Sequence, residues 1–106
     1  MEVTLGPVVA IPEGEGRTYA VGPDRVAVFR SRDGSVFATQ ASCPHKGGPL
    51  ADGLLGGSTL ICPLHALKFD LRTGSAQNSE CTLKTYPARL SPSGQILITM
   101  NEESAP

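Results

Sequence analysis

The stretch "SCPHKGG" (residues 42–48) and the later "CPLH" (residues 62–65) hold four of the five cysteine and histidine residues in the chain. In each piece a histidine follows closely on a cysteine, with a proline directly after the cysteine. A lone cysteine is most often a small buried hydrophobe. Two such pairs, flanking a glycine-rich segment, instead predict a metal site whose candidate ligands are Cys43, His45, Cys62 and His65.

The spacing within each pair suits a shared site. Cys43 and His45 are two residues apart, and side chains at that spacing project to the same side of an extended segment. Cys62 and His65 are three residues apart, within reach of each other across a tight turn. Sixteen residues separate the pairs. Cys81 has no histidine nearby, and we interpret it as a core or strand-edge thiol.

Composition bounds the remaining possibilities. The 106 residues predict one domain, 1–106. A formal charge of −1 argues against nucleic-acid binding. There is no run of eighteen apolar residues for a membrane span, and the N-terminus lacks the basic flank of a secretion signal. Three cysteines cannot close a disulfide framework. We therefore expect a cytoplasmic chain whose fold is stabilised by a bound metal.

The pattern of short apolar runs between turns predicts an all-β fold, a small antiparallel sandwich or barrel. Glycine and proline are spread along the chain, and no window keeps a helical period over three turns. The segment 41–57 interrupts the rhythm and is predicted to be a functional loop. "SPSGQ" (91–95) is typical of a hairpin turn. Strands are predicted at 17–21, 25–30, 35–40, 59–62, 67–71, 83–90 and 95–100.

The order of the ligands favours one kind of centre. Zinc fingers normally take both cysteines from one piece and both histidines from another. Here each piece brings one of each, which suits a binuclear site in which each loop gives its cysteine to one iron and its histidine to the other. Through C-x-H, sixteen residues and C-x-x-H, the sequence resembles the Rieske [2Fe–2S] family from about Pro7 to Thr99. A structural zinc module remains the alternative.

This resemblance implies an all-β base with a cluster-binding subdomain at about 42–72 and one [2Fe–2S] cluster per chain. It implies that Cys43 and Cys62 hold one iron as thiolates, and that His45 and His65 hold the other as neutral imidazoles. Two thiolates leave the oxidised centre neutral, so adding an electron costs less than with four. The residues expected around the cluster are Lys46, Gly47, Gly48, Pro49, Leu64, Leu67 and Phe69.

The neighbours of the ligands indicate the subfamily. High-potential members of the family carry an extra cysteine in each loop, joined by a disulfide, where this chain has Gly48 and Leu64. They also place hydroxyl residues two and four positions after the second histidine, where this chain has Leu67 and Phe69. The chain is therefore similar to the low-potential, soluble ferredoxins.

Longer sequence segments around the motifs indicate which redox partners to expect. "CPHKGGPLADG", "CPLHALKFDLRTGSA" and "CTLKTYPARL" resemble the small subunit of NAD(P)H-dependent nitrite reductases. Ala66 departs from the glycine or asparagine more usual both in these subunits and in dioxygenase ferredoxins. "VFATQ" and the overall length fit the ferredoxins of ring-hydroxylating dioxygenases equally well. We find no nucleophile–base constellation, which predicts a one-electron carrier without independent catalysis. Its expected partners are a flavin-containing reductase and a catalytic large subunit or oxygenase.

Overall fold

The computed structural model describes residues 2–42, 49–62, 68–76 and 82–100. Within these ranges the chain forms three antiparallel sheets and two short 3-10 turns, which confirms the predicted all-β fold. No helix in the described ranges is long and apolar enough to cross a membrane. The 3-10 turns are Val8–Ala10 and Leu50–Asp52. The strands are β1 (Glu2–Pro7), β2 (Glu15–Val21), β3 (Asp24–Arg30), β4 (Val36–Gln40), β5 (Leu54–Gly56), β6 (Thr59–Ile61), β7 (Lys68–Asp70), β8 (Thr85–Tyr86), β9 (Ala88–Leu90) and β10 (Gln95–Thr99).

Two of the sheets form a unit that we call the base. The terminal sheet has the order β1-β10-β9, and the central sheet has the order β2-β3-β4-β8. The third sheet, β5-β6-β7, and the 3-10 turn Leu50–Asp52 form a second unit that we call the cap. The cap contains Pro49, which directly follows the first ligand motif, and leads into Cys62, the first residue of the second motif.

Strand β3 joins the two units because both of its faces are buried. Side chains alternate between the faces of a strand. Val26 and Val28 accordingly face one core, while Ala27 and Phe29 face another, and all four are 0% exposed. The base core contains Val8, Ile11, Val26, Val28, Val36, Ala38, Tyr86, Ile96 and Ile98. The cap core contains Ala27, Phe29, Leu50, Leu60, Cys62, Phe69, Leu71 and Leu83.

The sequence pattern predicts one strand at 83–90. This prediction was wrong, because the structure has two strands in that range. β8 pairs with β4 in the central sheet, whereas β9 pairs with β10 in the terminal sheet. Pro87 lies between them and has no N–H to donate to a ladder. Its carbonyl oxygen instead accepts from the N–H of Thr99 at 2.9 Å. Pro87 is therefore the point where the chain crosses between sheets.

The segment 41–57 was predicted to be a loop, and that prediction was wrong in part. It contains the 3-10 turn Leu50–Asp52 and strand β5, which pairs with β6. Strand β1 was not predicted at all. The other predicted strands match observed ones to within two residues at each end, and 91–95 forms the turn between β9 and β10, where Ser91 and Gln95 are bonded.

Candidate metal centre

Of the four predicted ligands, the structure describes Cys62. Cys43, His45 and His65 lie outside the described residues, as do Lys46, Gly47, Gly48, Leu64, Leu67 and Cys81. Pro49 and Phe69 are described, the first exposed and the second fully buried. The geometry of the site is therefore built from the residues that flank the two ligand motifs.

The residues on either side of the first motif are held together. Ser42 and Pro49 form an antiparallel bridge, and the N–H of Leu50 donates to the carbonyl oxygen of Ala41 at 2.9 Å. Directly beyond this closure the chain enters the 3-10 turn Leu50–Asp52, in which the Leu50 side chain is 0% exposed. The turn anchors the closure because its leucine lies in the cap core. Both ends of the segment 43–48 are thus fixed to one place in the cap.

The second motif is flanked by a paired hairpin. Ile61 pairs with Lys68 and Leu60 with Phe69 in the β6–β7 ladder. Cys62 follows β6 directly and is 1% exposed. The β6–β7 ladder fixes both ends of the segment 62–67. Cys62 is therefore held at a defined place in the cap core.

Close backbone packing brings the two flanking structures together at Gly53. A Cβ atom at this position would lie 2.5 Å from the carbonyl oxygen of Ile61 and 3.0 Å from Cδ1 of Leu60. Only glycine permits this approach. The N–H of Gly53 also donates to the carbonyl oxygen of Leu50 at 2.9 Å. Gly53 therefore links the closure of the first motif to the strand that leads into Cys62.

A similar approach ties the cap to the base. A Cβ atom at Gly16 would lie 2.6 Å from Cδ2 of Phe29 and 3.3 Å from the Cα atom of Ala51. The absence of a side chain on β2 lets the Phe29 ring and the 3-10 turn pack against that strand. The turn that closes the first motif is thereby positioned from two sides, by β2 and by β6.

A charged turn follows the second motif. The carboxylate of Asp70 accepts from the backbone N–H of Arg72 at 2.9 Å and contacts the Arg72 guanidinium at 3.3 Å. The hydrogen bond from the Arg72 N–H, followed by the interaction with its side chain, lowers the pKa of Asp70 below its ordinary value. This arrangement keeps Asp70 ionised and fixes the turn that closes β7, which carries Phe69.

Sequence reasoning missed one polar contact beside the first motif. The side-chain Nε2 of Gln40 donates to the carbonyl oxygen of Ser42 at 2.7 Å, and the N–H of Lys84 donates to Gln40 Oε1 at 2.8 Å. Glutamine carries no motif signal at this position. Only the pairing of β4 with β8, more than forty residues away in the chain, reveals the contact.

The described residues fit an iron–sulfur centre. Cys62 is buried where two closed segments meet, and in the sequence each segment carries one cysteine and one histidine. Together these residues offer the two thiolates and two imidazoles that a binuclear cluster of mixed ligation needs. The cap core around Cys62 is apolar, and a low-dielectric surrounding of this kind is one of the features that set a cluster's potential.

Comparison with known proteins agrees with this chemistry. The family model described as the Rieske [2Fe–2S] domain matches residues 2–87. The chain belongs to the Rieske [2Fe–2S] family. It is 39% identical over 99 residues to the 3-phenylpropionate/cinnamic acid dioxygenase ferredoxin subunit of Photorhabdus laumondii, and the match covers 91% of each chain. It is also 35% identical over 82 residues to a naphthalene 1,2-dioxygenase/salicylate 5-hydroxylase ferredoxin component from a Ralstonia species, covering 76% of this chain and 78% of the relative.

Solved structures show the same fold. A crystal structure described as the small subunit of an NADH-dependent nitrite reductase from Mycobacterium tuberculosis superimposes with a TM-score of 0.85 at 27% identity, covering 92% of this Rieske chain and 93% of the other. The ferredoxin of carbazole 1,9a-dioxygenase from Nocardioides aromaticivorans gives a TM-score of 0.81 at 27% identity, covering 93% and 97%. Both predicted resemblances, and the predicted [2Fe–2S] cofactor, are therefore confirmed: this is a Rieske electron-transfer protein.

Proposed function

We propose that the chain carries single electrons between a flavin-containing reductase and a catalytic partner, with Cys43, His45, Cys62 and His65 as the ligands of its [2Fe–2S] centre. The observation that carries this proposal is the burial of Cys62 in the cap core, where the structures flanking the two ligand motifs meet. When bound, the centre supplies reversible storage of one electron.

The chain's own residues hold the site and exclude water from it. We propose a cluster-binding subdomain at about 42–72 within a single domain, 1–106. Leu50, Leu60 and Phe69 are each 0% exposed and share the cap core with Cys62, so they shield the cysteine side of the site. Lys46, Gly47, Gly48, Leu64 and Leu67 remain predicted neighbours of the cluster.

Two partner systems are supported by different observations. The motif strings and the TM-score of 0.85 with a nitrite reductase small subunit favour a role as small subunit or ferredoxin partner of a nitrite reductase-like NAD(P)H oxidoreductase. The 39% identity over 91% of a dioxygenase ferredoxin subunit favours a diffusing carrier between a flavin reductase and an oxygenase. In both systems the electrons come from NAD(P)H, and both systems fit the predicted cytoplasmic location of the chain.

The cofactor test comes first. Purified protein should be red-brown, contain about two irons and two sulfides per chain, and give an electron paramagnetic resonance signal only after reduction. A colourless protein with one tightly bound zinc would overturn the proposal and support the zinc module.

The partner test separates the two systems. The oxidised protein is mixed with NADH and either the flavoprotein large subunit of a nitrite reductase or the flavin reductase of a ring-hydroxylating dioxygenase, and bleaching of the visible band is followed. We expect catalytic reduction by the cognate type alone. Equal and slow reduction by both would leave neither system favoured and would count against a dedicated partner.

One exposed side chain lies close to the proposed site. Leu54 is 72% exposed and pairs with Ile61, the residue before Cys62. Val9 is equally apolar and 74% exposed but lies in the base, next to the β9–β10 hairpin turn through its neighbour Val8. If partners dock at the cap, Leu54→Ser should lower the rate of reduction by the active flavoprotein several-fold without changing the potential, while Val9→Ser should change neither. An equal loss in both variants would contradict docking at the cap.

A further inference from the structure

Gln40 forms a side-chain clamp between the first ligand motif and the segment that follows residue 81. It is the last residue of β4 and lies three positions before Cys43. Its backbone N–H donates to the carbonyl oxygen of Lys84 at 2.8 Å, which extends the β4–β8 ladder by one bond. Its side chain then accepts from the N–H of Lys84 at 2.8 Å and donates to the carbonyl oxygen of Ser42 at 2.7 Å.

The orientation of the amide follows from its two partners. The N–H of Lys84 can only donate and the carbonyl oxygen of Ser42 can only accept, so Oε1 must face Lys84 and Nε2 must face Ser42. Within the clamp, the glutamine amide thus takes the place of one backbone peptide group at the end of the ladder. No other uncharged side chain of similar length offers both a donor and an acceptor at its tip.

The Ser42 carbonyl group is important for the site because Ser42 directly precedes the proposed ligand Cys43. A peptide unit is planar, and the carbonyl of Ser42 belongs to the same plane as the backbone nitrogen of Cys43. Holding that oxygen restricts the direction in which the chain leaves toward Cys43. The opposite side of this closure is held by the bond from Leu50 N–H to the Ala41 carbonyl oxygen, so the Gln40 clamp completes a two-sided support.

We propose that Gln40 is a positioning residue for the [2Fe–2S] centre: its side-chain amide fixes the Ser42–Cys43 peptide to residue 84 and so sets how firmly the first loop holds the cluster. This inference rests on the proposed ligand role of Cys43. It concerns a residue outside both ligand motifs, and it connects the first motif to the central sheet through β8 and not to the second motif.

Two substitutions of Gln40 and two matched controls test the clamp. Gln40→Met keeps the length of the side chain and removes both hydrogen bonds. Gln40→Glu keeps the acceptor for Lys84 but, when ionised, cannot donate to Ser42 and sets two oxygens against each other. Gln95 begins β10 in the terminal sheet and, like Gln40, is half-buried. Gln95→Met and Gln95→Glu therefore make the same chemical changes in the base.

The measurements are the rate of cluster loss to a chelator, the reduction potential by protein-film voltammetry, and the g-values of the reduced protein. A net hydrogen bond is worth roughly 0.5–1.5 kcal/mol, so Gln40→Glu, which loses one bond, should lose its cluster about 2- to 12-fold faster than wild type. Gln40→Met loses both bonds and should lose its cluster about 5- to 160-fold faster. The g-values and the potential should shift as well, since a changed cysteine geometry alters the centre itself. Both Gln95 variants should match wild type in all three measurements.

Two results would overturn the inference. One is wild-type loss rate, potential and g-values in Gln40→Met. The other is an equal acceleration of cluster loss in Gln40→Met and Gln95→Met with unchanged g-values, which would indicate general destabilisation of the fold. A wild-type protein without any [2Fe–2S] signal would instead refute the proposed function, and the two failures are therefore distinguishable.

Discussion

The base and the cap differ in how they are stabilised, although β3 contributes residues to the cores of both. In the base, β2 and β3 are seven residues long and pair along their whole length. In the cap, β5, β6 and β7 are three residues each. Short strands contribute few ladder bonds, and a small sheet is stable only when its apolar face packs against other structure. The base can be held by its own ladders and core, whereas the cap depends on close packing and, we propose, on its cluster.

The packing of the two units shows the same contrast. The base core is mostly β-branched residues on strands, which suit a pleated surface. The cap core collects residues from strands, a 3-10 turn and the segment around Leu83, with Cys62 among them. A core assembled from so many short pieces has little to fix it except mutual contact. Substitution of Cys62, the proposed cluster ligand in that core, should therefore affect the cap more than the base.

The largest effect should come from replacing Cys62, the proposed ligand that lies within the described residues. Cys62→Ser should abolish the colour and about all of the bound iron, and should lower the melting temperature strongly, because a metal site absent from the unfolded chain contributes its binding energy to folding. Cys81→Ser is the matched control and should keep both colour and cooperative melting. Iron analysis and a visible spectrum decide the matter, and bleaching in Cys81→Ser alone would show that the ligand assignment is wrong.

The second prediction compares one deletion in each core. Leu60 and Ile98 are both 0% exposed aliphatic residues, the first in the cap core and the second in the base core. Truncation to alanine costs roughly 2–5 kcal/mol at such sites. Ile98→Ala should lower the melting temperature while the folded protein keeps its potential and its rate of cluster loss. Leu60→Ala should accelerate cluster loss to a chelator at a temperature where the fold persists. Identical behaviour would mean that base and cap are one cooperative unit.

The third prediction concerns the close approach at Gly53. Adding a Cβ there forces the 3-10 turn away from the carbonyl of Ile61, and overpacking of this kind costs roughly 1–3 kcal/mol. Gly56, three residues on, has no heavy atom within 4 Å of the position a Cβ would take. Gly53→Ala should therefore speed cluster loss and lower the melting temperature, while Gly56→Ala should stay within about 0.5 kcal/mol of wild type. Comparable losses in both variants would contradict the role given to this contact.

The contrast also explains what the sequence could predict. The alternation "VAVF" in β3 and the two Cys/His pairs are local signals, and they were sufficient for the all-β class and for the family. Strand β1 was missed because its partner, β10, is about ninety residues away and because Gly6 and Pro7 disguise it. β5 was missed because a three-residue strand between glycines carries almost no pattern of its own.

The site shows the same division between local and distant information. Cys62 was identified by its motif, and the structure places it in the cap core. Gly53, Gly16 and Gln40 were not identified as links between elements, since each acts on a partner that only the folded chain brings near. Pro87 was read as part of a strand because composition favours a strand on both sides of it. Residue spacing predicts candidate ligands, whereas the packing around them is a property of the folded chain.

The smallest expected effect concerns two aromatic rings within the cap core. Phe69 is 0% exposed and shares that core with Cys62, and it stands where high-potential relatives are expected to carry a hydroxyl. A hydrogen bond to a cluster or cysteine sulfur stabilises the more negative, reduced state more than the oxidised one. A net bond is worth roughly 0.5–1.5 kcal/mol, and about 59 mV corresponds to roughly 1.4 kcal/mol for one electron, so Phe69→Tyr should raise the potential by about 20–65 mV.

Phe29→Tyr provides the control for that change, because it adds the same hydroxyl to another fully buried ring of the cap core, one that lies against Gly16 on β2. Any general effect of polarity or strain in the core should appear in both variants, whereas a bond to sulfur should appear only at position 69. Protein-film voltammetry of wild type and both variants at one pH makes the comparison, with iron content confirming an intact centre. An unchanged or lowered potential in Phe69→Tyr, or an equal rise in Phe29→Tyr, would mean that burial and charge, and not a missing hydroxyl donor, set the potential of this centre.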